Sequence, residues 1–124
     1  MSDLIYGSNT EQVTAFIERC KVLTGDENKK ISSWYAAWYA AWYAAWYAAR
    51  DTAYSAARES VRSAAWDAAW YAAGDAAWDA AGYAAGAIVV MDLITAEQFA
   101  ILTEPFAEIL TELGIVWKES EVGK

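Results

Sequence analysis

From Trp34 to Ala85 this chain is written in units of four residues, thirteen in succession without a slip. The first four units are identical, Trp-Tyr-Ala-Ala, beginning at Trp34, Trp38, Trp42 and Trp46. Thereafter the third and fourth places stay Ala-Ala except at Thr52-Ala53 and Ser60-Val61. The first place becomes Arg50, Tyr54, Arg58, Arg62, Trp66, Trp70, Gly74, Trp78 and Gly82, and the second varies among Asp, Ser, Glu and Tyr. The small pair is held while the large pair changes. Alanine is the strongest helix former because ordering it costs no side-chain entropy. No proline interrupts the repeat, the single one in the chain being Pro105. The repeat is therefore predicted to be helical.

Paired small residues let two helix backbones approach closely, so that dispersion contacts accumulate along their length. The expected packing stripe is Ala36, Ala37, Ala40, Ala41, Ala44, Ala45, Ala48 and Ala49 in the first half and Ala64, Ala65, Ala68, Ala69, Ala72 and Ala73 in the second. Beside it runs an expected aromatic ladder of Trp34, Trp38, Trp42, Trp46, Trp66, Trp70 and Trp78. Such side chains bury apolar bodies and keep polar tips wet. A helix turns about 100° per residue, so a stripe of period four drifts about 40° per tetrad. A straight partner can follow it for two or three tetrads, and partners that follow it further must wind in the right-handed sense. One continuous helix over the repeat would be about 78 Å long. The first expectation is such a rod; a helical hairpin is the alternative.

The flanks are predicted to be short amphipathic helices. Ser8 followed by Glu11 fits a capping box, with Thr10 as a rival cap, and Val13, Phe16, Ile17, Cys20 and Leu23 then share one face. Gly25 is expected to stop that helix, residues 25–30 to turn, and Ser32 or Ser33 to cap the next. After the repeat, Ala87 to Met91 suits a buried helix end. Thr95 with Gln98 fits another capping box. Thr103 ahead of Pro105 suits the start of a last helix lined by Phe106, Ile109, Leu110 and Leu113 and ended by Gly114. The predicted class is all-α: residues 1–33 an N-terminal helix and turn, 34–86 the repeat, 87–124 a C-terminal helical segment, together one structural domain.

The repeat followed by Gly86-Ala87-Ile88-Val89-Val90-Met91-Asp92-Leu93-Ile94 and Leu102-Thr103-Glu104-Pro105-Phe106 resembles a group of alanine-rich tetrad-repeat proteins from actinobacteria and their phages. The resemblance spans roughly residues 34–110. It implies helix and carries over no functional residues, and the aromatic Trp-Tyr-Ala-Ala block departs from the group's more charged tetrads.

Composition narrows the function classes. With no histidine and one cysteine, Cys20, a zinc site or a histidine-based nucleophilic triad is excluded. The glycines occur singly, so there is no phosphate loop. Asp67, Asp75 and Asp79 are spaced by eight and four, which suits a solvated stripe that keeps an apolar helix in water. No catalytic, metal or cofactor residue is expected. A net charge of −8 repels phosphate backbones and anionic lipid, so neither nucleic acid nor membrane is an expected partner. Ile31 to Ala49 is free of charge and long enough to cross a bilayer, but Trp and Tyr prefer the interface to its centre. The opening residues lack a basic start followed by an apolar run, so no signal peptide is read, and a reducing, cytoplasmic setting is expected. The leading expectation is a non-enzymatic structural protein that self-associates through the Ala-Ala stripe. A ligand-binding or inhibitory protein of phage type, using the aromatic ladder, and a membrane-inserted helix are the alternatives.

Overall fold

The computed structural model describes residues 6–53, 56–73, 77–91 and 93–117; within these, the side chains of Ser8, Trp38, Trp42, 48–53 and 56–60 lie outside the description. All regular structure among the described residues is helical. Six α-helices follow in order: α1 (Thr10–Cys20), α2 (Gly25–Ala53), α3 (Ala56–Ala73), α4 (Trp78–Val89), α5 (Ala96–Thr103) and α6 (Ala107–Leu113), with 3-10 turns at Gly7–Asn9 and Glu104–Phe106.

The repeat is thus carried by three helices rather than one rod or one two-helix hairpin. A continuous helix would hold Trp66 and residue 82 about 24 Å apart, yet a Cβ built on Gly82 would lie 2.5 Å from the Trp66 indole. Gly86 stands in the same way against the stem of Arg62, and the rings of Trp70 and Trp78 are 4.1 Å apart. Each step of four along α3 is matched by a step of four back along α4, so the two helices pack antiparallel in tetrad register.

α4 is the centre of the molecule. Ala80, Ala81, Gly82 and every residue from Ala84 to Val89 are buried. It packs chiefly on α3 and also on α1 and α5, while α2 lies against α5 and the turn at 104–106. Burial of nearly the whole circumference requires small side chains, because full-size residues all round would hold the neighbours apart. The larger core groups come from the flanks. Val13, Phe16, Ile17 and Cys20 are buried along α1, and Phe16 meets Phe106 edge to face at 4.9 Å. Burial pushes the Cys20 thiol up to about 12, which leaves it a small apolar filler.

The helix ends show which local signals prevailed. Asn9 stands at the N-cap of α1 without a side-chain cap bond, and the side chain of Ser8, the expected cap, lies outside the description; Thr10 donates its hydroxyl to the carbonyl of Gly7 and accepts from the amide of Tyr6, closing the turn before the helix. Gly25 does not stop α1, which ends at Cys20, and residues 25–30 are the first turns of α2. The cap there is Thr24: its hydroxyl accepts from the Glu27 amide at 3.0 Å, and the Glu27 carboxylate accepts from the Thr24 amide at 3.0 Å. Thr95 and Gln98 form the expected box at α5. Thr103 precedes the 3-10 turn holding Pro105 without capping it through its side chain, and donates to Phe99 O at 2.8 Å. Gly114 ends α6 at φ +74°, a left-handed conformation that glycine adopts without strain.

Long-range polar ties hold the flanks in place. The buried amide of Asn9 donates to the carbonyls of Ile88 and Val89, at 3.0 and 3.2 Å, and so caps the C-terminus of α4 from 79 and 80 residues away. Arg19 donates to both oxygens of Glu27 and, through Nε, to Glu112 at 2.8 Å. That guanidinium joins α1 to the start of α2 and the end of α6. It holds the Glu27 carboxyl below the usual carboxylate range, with the Thr24 amide as a second cause.

Candidate interaction surface

The four identical tetrads lie on α2, and their outer face differs in kind from the rest of the molecule. Spacing by four places Tyr35, Tyr39, Tyr43 and Tyr47 one above another. Their ring centroids follow at 5.7, 6.0 and 4.8 Å, and the Tyr43 and Tyr47 hydroxyls are hydrogen-bonded at 3.1 Å. At its inner end the series stacks on Tyr83 of α4, 6.1 Å from Tyr35, and Tyr83 in turn meets Trp66 edge to face at 5.1 Å. Tyr39, Tyr43 and Tyr47 remain 46, 41 and 43% exposed. Burial raises the phenol pKa of Tyr35 and of Tyr83, and the bond to Tyr47 raises that of Tyr43. These three phenols are neutral at ordinary pH, and no charged residue lies between Ile31 and Ala49.

The alanines divide. On α2, Ala36, Ala37, Ala40 and Ala44 are exposed, Ala41 is half-buried and Ala45 is buried; Ala48 and Ala49 have side chains outside the description. On α3, Ala65, Ala69 and Ala73 are buried, Ala68 and Ala72 half-buried, and Ala64 exposed. The fourth place of the tetrad is therefore the seam from residue 65 onward, and it continues through Ala77, at the N-cap of α4, and Ala81 and Ala85 within it. On α2 the buried line passes from Ile31 through half-buried Trp34 and Tyr35 to Ala41 and Ala45, changing tetrad place as it goes. That is the consequence of the drift: a fixed neighbour follows a spacing near 3.6, not 4.

Of the indoles, Trp34, Trp46, Trp66, Trp70 and Trp78 are half-buried at helix contacts, while Trp38 and Trp42 have side chains outside the description. The continuous exposed ladder is made by the tyrosines of the second place. Its signal was present in the sequence, as Tyr at every fourth residue beside a charge-free run, but the more conspicuous tryptophans obscured it. The sequence also gave no sign of a cavity of about 260 Å³ between α2 and α3, lined by Trp46, Arg62, Ser63, Trp66, Asp67 and Tyr83.

Asp67 and Asp79 are exposed; Asp75 lies outside the described residues. Among the described residues no group of three or more His, Cys, Asp or Glu could hold a metal ion, and no helix is long and apolar enough to cross a membrane. Comparison of the chain with protein-family models, curated proteins and solved structures finds no match.

Proposed function

We propose that this is a non-enzymatic interaction protein whose copies associate through the outer face of α2. The observation that supports it is the coincidence of two properties on that face. It exposes Ala36, Ala40 and Ala44 beside the Tyr39–Tyr43–Tyr47 series, and it is uncharged over nineteen residues in a chain of net charge −8. Two acidic copies repel over most of their surfaces and least where they meet across a neutral face. Alanine there lets the helices approach closely, and tyrosine supplies rigid contact area with a hydroxyl that remains satisfied at the rim. The internal α3–α4 pair, in which first-place Trp66 and Arg62 sit on Gly82 and Gly86, illustrates how tetrad helices mesh. We infer that helices with this drift wind about each other in the right-handed sense.

The test is the mass in solution by light scattering after size exclusion. The expected result is a multiple of 13.6 kDa, reduced to one copy by the double substitution Ala40→Glu and Ala44→Glu. Both positions are exposed, so the substitution spares the monomer's core. A wild-type mass of one copy, or a multiple that survives the substitution, overturns the proposal.

A further inference from the structure

We propose that Tyr43 and Tyr47 form a site of oxidative modification, at which a one-electron oxidant of the peroxidase type joins the two phenol rings into a dityrosine within one chain. The proposal stands on the geometry of α2 alone and holds whether or not copies associate. Spacing by four makes the two side chains neighbours on the helix surface. Their ring centroids are 4.8 Å apart, the ring planes are inclined at 32°, and the hydroxyl oxygens are 3.1 Å apart. A bond between two phenols, each joined at the carbon next to its oxygen, brings the hydroxyls together and leaves the rings close with a modest twist. The pair has those features before any bond forms. The earlier steps of the series differ: Tyr35–Tyr39 and Tyr39–Tyr43 are edge to face, at 73 and 67°, with centroids 5.7 and 6.0 Å apart.

The surroundings direct an oxidant to this pair. Both rings are exposed. Sulfur groups compete for oxidants, but among the described residues Cys20 and Met91 are both buried, and a thiol in apolar surroundings is inert. Trp46 lies edge to face on Tyr47 at 5.2 Å, and Tyr39 precedes Tyr43 in the series. A neighbouring ring that loses an electron can therefore take one from the pair across a direct contact. Exposure alone is not the criterion. Tyr71 is 78% exposed, but its ring contact among the described residues is with Trp70, not with a second phenol.

In the reaction each phenol gives one electron to the oxidant and its hydroxyl proton to water. The two tyrosyl radicals carry unpaired spin at the carbons next to oxygen, and a C–C bond forms between one such carbon of each ring. The hydrogen on each joined carbon then leaves as a proton and, through water, returns to the oxygen of the same ring, which restores two phenols. In all, two electrons and two protons leave the protein, and one hydrogen peroxide takes them up to become two waters. The new bond spans one turn of α2, where residues four apart are already neighbours, so the helix can hold it.

The test is treatment of the full chain with a haem peroxidase and hydrogen peroxide, read by dityrosine fluorescence, intact mass and fragment mapping. The expected product is a single chain lighter by two hydrogens, in which the chymotryptic fragments holding Tyr43 and Tyr47 stay joined. Tyr43→Phe and Tyr47→Phe keep the rings and the fold, and each is expected to lower the yield of that product at least tenfold. Tyr39→Phe is expected to leave most of it. The double substitution Ala40→Glu and Ala44→Glu is expected to cross-link at least as well as the wild type, which separates this result from that of the association test. The proposal is overturned if neither the wild type nor the double variant gives the product, if Tyr43→Phe gives it undiminished, or if the dityrosine maps to Tyr71 or joins two chains instead.

Discussion

At the scale of single residues, two glycines four residues apart on α4 have opposite tolerance for a methyl group. Replacing glycine by alanine inside a helix gains about 1 kcal/mol of propensity. At Gly82 the new Cβ meets an indole wedged between α3 and α4 at 2.5 Å, and relieving such a clash costs about 1–3 kcal/mol. At Gly86 it meets only the flexible stem of Arg62, at 3.2 Å. Gly82→Ala is therefore expected to lower the thermal midpoint, and Gly86→Ala to leave it unchanged or raise it. Equal losses at both sites would show that the register of α3 on α4 is not the one described. Asn9 makes a similar point for polar groups. Its amide satisfies two buried carbonyls at the end of α4, and leaving such groups unpaired costs about 1–3 kcal/mol. Asn9→Ala is expected to destabilise by that amount in denaturant titrations; a change under about 0.5 kcal/mol, within the range of ordinary surface substitutions, would mean that water replaces the amide.

At the scale of elements, the caps separate what is local from what is not. Thr95 with Gln98 and Thr24 with Glu27 are the same box. The first was legible because an apolar helix pattern follows it directly. The second was obscured because Gly25 stands at the first position of α2, where glycine reads as a stop. A glycine with negative φ imposes no turn, and Gly25 is not among the positive-φ glycines. Thr24→Ala is expected to cost about 1 kcal/mol and to increase amide exchange in the first turn of α2, with no effect on exchange in α5. A seam of period four holds over Ala65, Ala69 and Ala73 and again over Ala77, Ala81 and Ala85; the two steps in each set drift by about 80°, within the width of one apolar face.

At the scale of the whole molecule, the ion pairs that join α1 to α2 and α6 respond to pH. Glu27 has its folded pKa depressed by Arg19 and the Thr24 amide. A depressed carboxylate contributes its full stability above the unfolded value, about 4.3, and loses it as pH falls through the folded value. Glu27→Gln is therefore expected to be less stable than wild type at pH 7 and to converge with it as pH falls below the unfolded carboxyl value, read from urea midpoints at each pH. A gap that stays constant with pH would assign the loss to side-chain shape and not to charge.

The sequence by itself determined that the chain is helical, that Val13, Phe16, Ile17 and Cys20 face inward, that Thr95 and Gln98 cap α5, and that Gly114 ends α6. Each of these rests on propensity, periodicity or a bond within four residues, and such interactions do not depend on the rest of the fold. The tertiary structure decided where the repeat divides into helices, that α4 and not the aromatic block is the buried centre, and which alanines of the stripe are covered. It also made Gly82 and Gly86 the seats of Trp66 and Arg62. A uniform tetrad presents nearly the same side chains in every register, so local energies hardly distinguish a rod from a folded chain. The choice falls to long-range contacts: the fit of indole on glycine, the Asn9 cap on α4, and the burial of α4 against the apolar residues of both ends.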